Sequence, residues 1–209
     1  MATKSEKKVI YDANSIIYYC FMHEEKIKGK RVTIRVMGLT NRIQSLTEQF
    51  LAEGFEIETI SGVMKEIFDK SIAKIVDEFC DDYQTKSLIG LPERAKISSR
   101  IRLRLARKTE EKIRRLQKKA WFKVIDYHPD ERELRKVKDF YLSLSGTPKM
   151  EEHMRKKRTR VPYPSDIDMA LLTYSKKTGN QIVTSDSDLI DFKEELESAG
   201  FCAGIIIVP

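Results

Sequence analysis

Residues 8–21, KVIYDANSIIYYCF, contain the pattern from which the rest of the fold can be read. Lys8 to Tyr11 is a short run of β-forming residues, and the polar run from Asp12 to Ser15 then starts a turn. Ile16 to Phe21 follows as an apolar run, which we interpret as a buried helix. The opening unit is therefore predicted to be a strand followed directly by a helix.

The same alternation of strand and helix continues along the chain. β-type runs are predicted at 56–60, 122–127, 181–184 and 204–208, and helices at 39–52, from 61 onward, and at 94–119, 129–144, 165–177 and 188–198. The segment 22–36 is predicted to be a loop or a marginal hairpin, 81–92 a linker and 145–164 a loop. This order implies an α/β fold with a mainly parallel central sheet covered on both faces, a three-layer α/β/α sandwich. We expect residues 1–209 to form a single domain.

The composition narrows the class of protein. Apolar residues make up 41% of the chain and charged residues 34%, as in ordinary globular proteins, and no apolar run is long enough to cross a bilayer. The first residues lack the apolar segment of a signal peptide, so we expect a cytoplasmic protein that does not bind membranes. Cys20, Cys80 and Cys202 have no metal-ligand spacing and are expected to be reduced and buried.

The positive charge is concentrated in two segments. The net charge is +7, yet residues 94–119 alone carry +10 and residues 155–160 carry +5, which leaves −8 for the remainder. An acidic body with two basic segments can attract a polyanion only through those segments.

Four acidic residues lie at the ends of apolar segments: Asp12, Glu66, Asp168 and Asp186. An unpaired carboxylate beside a core costs several kcal/mol unless a cation or a proton compensates it, and a divalent metal ion would do so. Each residue also has a purely structural interpretation. Asp12 and Asp186 could cap helices, Asp168 could form a capping box with Ser165, and Glu66 could be a solvated surface acid.

The motifs around these acids resemble those of the PIN-domain nucleases. The matching motifs are Val9-Ile10-Tyr11-Asp12-Ala13-Asn14-Ser15, Val63-Met64-Lys65-Glu66-Ile67, the helix from Asp168 to Gly179, and Ile182-Val183-Thr184-Ser185-Asp186-Ser187-Asp188. The resemblance extends from Lys8 to Val208. Relative to small PIN domains, residues 84–120 look like a basic helical insertion and residues 145–164 like a basic loop insertion.

The resemblance implies a metal-dependent endoribonuclease. Asp12, Glu66, Asp168 and Asp186 would be catalytic and would hold Mg²⁺ or Mn²⁺, with Asp188 as a peripheral ligand. Asn14, Thr184 and Ser185 would orient these carboxylates, and Asp166 would be either a further support or a surface cap. Two such ions can activate water and stabilise the leaving 3′ oxygen, so the products should carry 5′-phosphate and 3′-hydroxyl ends.

The basic segments are the expected RNA-binding surface. Its candidate residues are Arg100, Arg104, Arg107, Arg115, Arg155, Lys156, Lys157 and Arg158. We expect helix 94–119 to project from the core, with Ile97, Ile101 and Leu105 packed inward or against a second copy in a homodimer. Its alternative role is a solvated helix face. Trp121 and Phe122 are interpreted as core residues, which favours recognition of the RNA backbone over stacking of bases.

Other functions fit less well. An aspartyl phosphatase needs D-x-D, but the second position is Asn14, and Ile16 breaks the D-x-S-x-S pattern of an adhesion site. An RNA-binding assembly factor with little or no cleavage activity remains as an alternative, as does a toxin ribonuclease with an antitoxin partner. The length and the basic insertions favour RNA processing, which would place the protein with an RNA-processing complex.

Overall fold

The computed structural model describes residues 7–21 and 35–208. The segment predicted as a loop at 22–36 falls mostly on residues 22–34, outside the described residues. In the described part, no helix combines the length and the apolar composition needed to cross a membrane.

A five-stranded parallel sheet forms the centre of the molecule, which confirms the predicted α/β class. Its strands are β1 (Lys8–Tyr11), β2 (Glu56–Ile60), β3 (Phe122–Ile125), β4 (Gln181–Thr184) and β5 (Ile205–Ile207), in the order β3-β2-β1-β4-β5. Every neighbouring pair is parallel, and Val9 of the central strand lies opposite Ile57 on one side and Gln181 on the other.

The helices fill the crossovers between these strands. They are α1 (Ala13–Cys20), α2 (Arg35–Ala52), α3 (Ser61–Glu66), α4 (Ile72–Asp81), α5 (Tyr83–Leu88), α6 (Ser99–Leu116), α7 (Glu131–Ser143), α8 (Pro148–Lys157), α9 (Asp166–Thr178), α10 (Ser187–Ile190) and α11 (Lys193–Ser198). A π-helical segment, Ile67–Ser71, joins α3 to α4. Because crossovers between parallel strands are right-handed, α1 to α6 lie on one face of the sheet and α7 to α11 on the other. This arrangement agrees with a three-layer sandwich.

Buried apolar strands account for the core. Ile10, Ile182 and Val183 are fully buried in the middle of the sheet, as expected for parallel strands covered on both faces. The three cysteines are also buried, as predicted.

The predicted loop at 145–164 is wrong over much of its length, because it contains α8. Thr147 caps this helix by accepting a hydrogen bond from the Met150 N–H, and Pro148 occupies its first turn. Met150 and His153 are buried, so long-range packing stabilises a helix whose own sequence is strongly polar.

Smaller predictions also need correction. The predicted linker 81–92 contains α5, capped by Asp82. Ser61, a residue type that often caps helices, opens α3 without capping it and donates to the Asp126 carboxylate. The last predicted helix is split into α10 and α11 at Phe192, whose ring is fully buried. The junction between the two helices is therefore anchored in the core.

The basic helix is shorter than predicted and lies against the core instead of projecting from it. It begins at Ser99, not Arg94, and packs against α4 and α1. Leu105 and Ile113 are buried in this interface, and Ile97 is buried just before the helix. Arg102 fixes the helix from outside, because its guanidinium donates to the carboxylates of Asp77 and Asp81 on α4, each at 2.5 Å.

Candidate functional site

The candidate site lies where β1 and β4 end side by side. The order of the sheet reverses at this pair, since the crossover after β1 leads to one side and β4 begins the other. Such a switch point leaves a crevice outside the carboxyl ends of the strands. The Ser15 hydroxyl ties the two strand ends together by donating to the Val183 carbonyl at 2.9 Å.

Asp12 follows β1 and is both a helix cap and a member of the site. One carboxylate oxygen accepts from the Ser15 N–H at 2.6 Å, and the other accepts from the Thr184 hydroxyl at 2.5 Å. The side chain is almost fully buried and has no cation partner among the described residues. Burial raises the pKa of Asp12 to about 6, although both hydrogen bonds oppose the shift.

Asp168 lies in the first turn of α9 and pairs with Ser165. The Ser165 hydroxyl donates to the Asp168 carboxylate at 2.7 Å and accepts from the Asp168 N–H at 3.2 Å. The predicted capping interaction is therefore present in part, but it does not neutralise the charge. Removal from water, followed by repulsion from Asp186, raises the pKa of Asp168 to about 8. The negative charge of Glu66 also contributes to raising the pKa of Asp168, so Glu66 and Asp168 repel each other across the site.

Glu66 and Asp186 each have a lysine partner. Glu66 ends α3 beside the π-helical segment and lies 3.3 Å from the Lys70 ammonium. Asp186 caps α10 through the Asp188 N–H at 2.9 Å and lies 3.1 Å from the Lys157 ammonium. Both carboxylates therefore enter the site with part of their charge already compensated.

All four predicted acids line one pocket of about 220 Å³. Its other lining residues are Ala13, Asn14, Lys70, Ser71 and Lys74. Across residues 7–21 and 35–208, no three acidic, histidine or cysteine side chains form a group that could hold a metal ion. The pocket is thus acidic and convergent, but its side chains are not arranged as a ready-made coordination shell.

The supporting residues are divided around this pocket. Asn14 lines the pocket, and the Thr184 hydroxyl donates to Asp12. Ser185 lines a second, neighbouring groove, described below. Asp166 is exposed at the start of α9 and does not line the pocket.

Asp188 faces α8. One of its oxygens lies 2.8 Å from Nε2 of His153 and the other 2.5 Å from Nζ of Lys157. The same imidazole contacts Asp191 through Nδ1 at 2.7 Å. Both oxygens of Asp188 therefore have protein partners, and its role as a peripheral metal ligand stays a prediction.

A basic groove of about 380 Å³ adjoins the acidic pocket and shares Asn14, Lys74 and Asp186 with it. Its lining includes four cationic residues and three acidic ones: Arg35, Lys74, Lys156 and Lys157, with Glu78, Asp186 and Asp191. Sequence reasoning missed Arg35, Lys70, Lys74 and His153. A signal existed for two of them, because Lys70 and Lys74 follow Glu66 at steps of four residues.

Most of the other candidate RNA-binding residues lie on separate surfaces, and only Lys156 and Lys157 line the groove. Arg100, Arg104 and Arg107 are exposed along α6 and flank an exposed Leu103. Arg155 and Lys156 of α8 both lie near Glu152, and Arg158 is exposed just after that helix. Arg115 belongs to a different pocket, lined also by Trp121.

Comparison with known proteins does not assign the chain to a family. No protein-family model matches it, and no curated protein matches it significantly. The chemistry of the site must therefore be inferred from its own residues.

Proposed function

We propose that this protein is a Mg²⁺- or Mn²⁺-dependent endoribonuclease with a PIN-like core, to which α6 and the segment 145–164 are basic additions. The observation that carries the proposal is the convergence of Asp12, Glu66, Asp168 and Asp186 on one pocket at the switch point of a parallel sheet. Such a crevice is where open α/β sheets bind their ligands.

The chemistry of the donor set suits a hard divalent cation, although the described side chains are not arranged as a coordination shell. All four acidic groups offer oxygen, and Mg²⁺ is commonly held by one or two carboxylates together with water and substrate phosphate oxygens. Asp12 and Asp168 lack a cation partner among the described residues, and their raised pKa values, about 6 and about 8, reflect negative charge that is costly to bury. When bound, such an ion would supply an activated water and charge stabilisation for the leaving oxygen.

The residues of the chain would position the reactants. Thr184 and Ser15 hold Asp12 in one orientation, and Ser165 holds Asp168. Lys74 makes no ion pair with a described residue and lies between the acidic pocket and the basic groove, where it can contact a substrate phosphate. The groove would lead the RNA backbone past the carboxylates, so that the acidic site need not attract the polyanion by itself.

One observation favours the alternative of an RNA-binding assembly factor with little activity. Lys70 and Lys157 already lie beside Glu66 and Asp186, so two of the four acids are neutralised from within the chain. A protein that uses this arrangement only for stability would bind RNA through the groove and would not need a metal ion.

Cleavage of RNA decides between the two functions. Purified protein is incubated with mixed RNAs in Mn²⁺, in Mg²⁺ and in EDTA, and the product ends are identified. The proposal expects metal-dependent internal cuts with 5′-phosphate ends, lost in Asp12→Asn and retained in Asp166→Asn, which removes an exposed acid outside the pocket. RNA binding without cleavage in either metal would favour the assembly factor.

A further inference from the structure

A second pocket lies at the opposite edge of the sheet from the acidic pocket. Trp121 directly precedes β3, at the amino end of that strand, whereas the acids follow the carboxyl ends of β1 and β4. Helix α1 starts beside Asp12 and runs back across the sheet, so Tyr19 near its end reaches the same amino edge. The pocket encloses about 430 Å³, within the range of small-molecule sites. Its described lining residues are Tyr19, Cys20, Gln44, Glu48, Lys112, Arg115, Leu116, Lys119 and Trp121.

Two aromatic rings form a corner of this pocket. Tyr19 and Trp121 meet edge to face, with centroids 6.2 Å apart and planes at 90°. Both side chains are only partly buried, unlike Phe122, which belongs to the core. Trp121 packs against the core, as predicted, but part of its ring remains accessible in this pocket. Gln44 holds this corner in place by donating to the Tyr19 carbonyl at 3.0 Å.

Three cations surround the rings. Lys112, Arg115 and Lys119 line the pocket, and none of them forms an ion pair with a described residue. Other cations of α6 are paired, since Arg102 binds two aspartates and Arg114 binds Glu110 at 2.7 Å. Glu48 is the only acid among the described lining residues. The pocket therefore combines an aromatic wall with unpaired positive charge.

The floor is apolar and uncharged. Leu116 is buried, and burial raises the pKa of the Cys20 thiol to about 12, so this thiol stays protonated near neutral pH. A planar apolar group can rest on such a floor without losing a hydrogen-bond partner, while an attached anion reaches the cations at the mouth.

We propose that this pocket binds one nucleotide of a single-stranded RNA, with its base against Trp121 and Tyr19 and its phosphate at Arg115 and Lys119. Stacking of bases on aromatic side chains combined with cationic contacts to the backbone is how single strands are held without sequence readout. The pocket is remote from the acidic pocket and shares no described lining residue with it. The proposal therefore stands whether or not the acidic pocket cleaves RNA.

The chain carries its own probe, because Trp121 is its one tryptophan. Its fluorescence is followed in EDTA during titration with AMP, with adenosine and with hexa-adenylate RNA. Binding of AMP and hexa-adenylate with saturable quenching, and weaker binding of adenosine, supports the proposal. Quenching by hexa-adenylate alone also supports it and shows that the nucleotide must belong to a strand. No saturable change with any of the three probes overturns it.

Neighbouring arginines provide a matched pair of variants. Arg115→Ala should weaken hexa-adenylate binding roughly tenfold, since it removes a charged contact to phosphate. Arg114→Ala removes the same charge from the same turn but lies outside the pocket lining, and should change affinity by less than about twofold. Equal losses in the two variants would show a diffuse attraction to the helix and overturn the site. Both side chains are exposed, but Arg114 also lies over the Phe68 ring at 4.7 Å, so urea unfolding verifies that both variants are folded.

Discussion

The Thr184 hydroxyl donates a hydrogen bond to the Asp12 carboxylate at 2.5 Å, joining residues that are 172 positions apart in the sequence. The same hydroxyl accepts from the Asp186 N–H at 2.9 Å, so one side chain aligns the two acids that follow β1 and β4. The geometry of the acidic pocket is thus fixed by the pairing of these two strands.

Asp12→Asn should abolish most metal-dependent cleavage while the protein stays folded. The asparagine oxygen can still accept from the Ser15 N–H, and its amide can donate to the Thr184 hydroxyl, which then acts as an acceptor. We expect a loss of activity of about 100-fold or more, because losing even a residue that supports a metal ligand costs roughly 10–100-fold. Initial rates at matched Mn²⁺ concentration measure this. Full activity in the variant would place the chemistry elsewhere.

Asp168→Asn should stabilise the metal-free protein in a pH-dependent way. The pKa of Asp168 rises from 3.8 to about 8 on folding, so its ionised form is disfavoured in the native state. The penalty is absent below pH 3.8, grows as the pH rises towards 8, and is complete above that. At pH 9 the variant should gain about 2 kcal/mol, less than the full conversion of the shift, because solvent screens a partly exposed carboxylate.

Urea unfolding in EDTA between pH 4 and pH 9 checks this profile. Asp166→Asn serves as the control, since it removes an exposed acid two residues away. It should show no such increase with pH. A pH-independent difference between Asp168→Asn and the parent protein would contradict the assigned pKa.

Lys157→Met should increase the affinity of the acidic pocket for Mn²⁺. The Lys157 ammonium contacts both Asp186 and Asp188. Burial lowers the pKa of Lys157, but the two acids raise it by more, so the ammonium stays charged beside them. Removing this competing cation should tighten Mn²⁺ binding about two- to tenfold. Electron paramagnetic resonance of free Mn²⁺ measures the affinity. The neighbouring change Lys156→Met should have little effect, because Lys156 pairs with Glu152 instead.

Arg102→Ala should loosen α6 from the body of the protein. The variant loses two ion pairs to α4, worth about 1 kcal/mol in the free energy of unfolding at a partly exposed site. Arg104→Ala removes an exposed arginine two positions away and should change stability by less than about 0.5 kcal/mol. The difference between the two variants should shrink in high salt. Equal stability of both at low salt would mean that apolar contacts alone hold the helix.

Joint replacement of Arg100, Arg104 and Arg107 by alanine tests whether α6 binds RNA. If each arginine contacts a phosphate, the slope of log K against log salt should flatten by about 2, at roughly 0.7 per contact to a single strand. The control replaces Arg132, Arg135 and Lys136, which are exposed on α7, and should leave the slope nearly unchanged. An unchanged slope in the α6 variant would restrict RNA contacts to the basic groove and the Trp121 pocket.

Local signals account for what the sequence could predict. Each strand carries its own apolar run, and Asp12 and Ser165 each cap the helix that follows. Because parallel strands end at one edge, the convergence of Asp12 and Asp186 follows from these local patterns. The alternation of strand and helix predicts a parallel sheet but not the order of its strands. The pairing of β1 with both β2 and β4 depends on the whole chain.

Features that depend on distant contacts could not be predicted. Helix α8 is polar in sequence. Contacts of His153 with Asp191 and of Lys157 with Asp186 hold it against the rest of the protein. The partial exposure of Trp121 likewise depends on how α1 and α6 meet β3. Such contacts have no periodicity in the sequence and become visible only when the elements are assembled.

The central position of β1 has a consequence for biosynthesis. This strand can pair with β2 once Ile60 has left the ribosome, but its other edge stays open until β4 has also left it. Until then Asp12 has no Thr184 beside it, and Asp168 and Asp186 are not yet in place. The acidic pocket therefore forms only when nearly all of the described chain has been translated, and an incomplete product cannot assemble it.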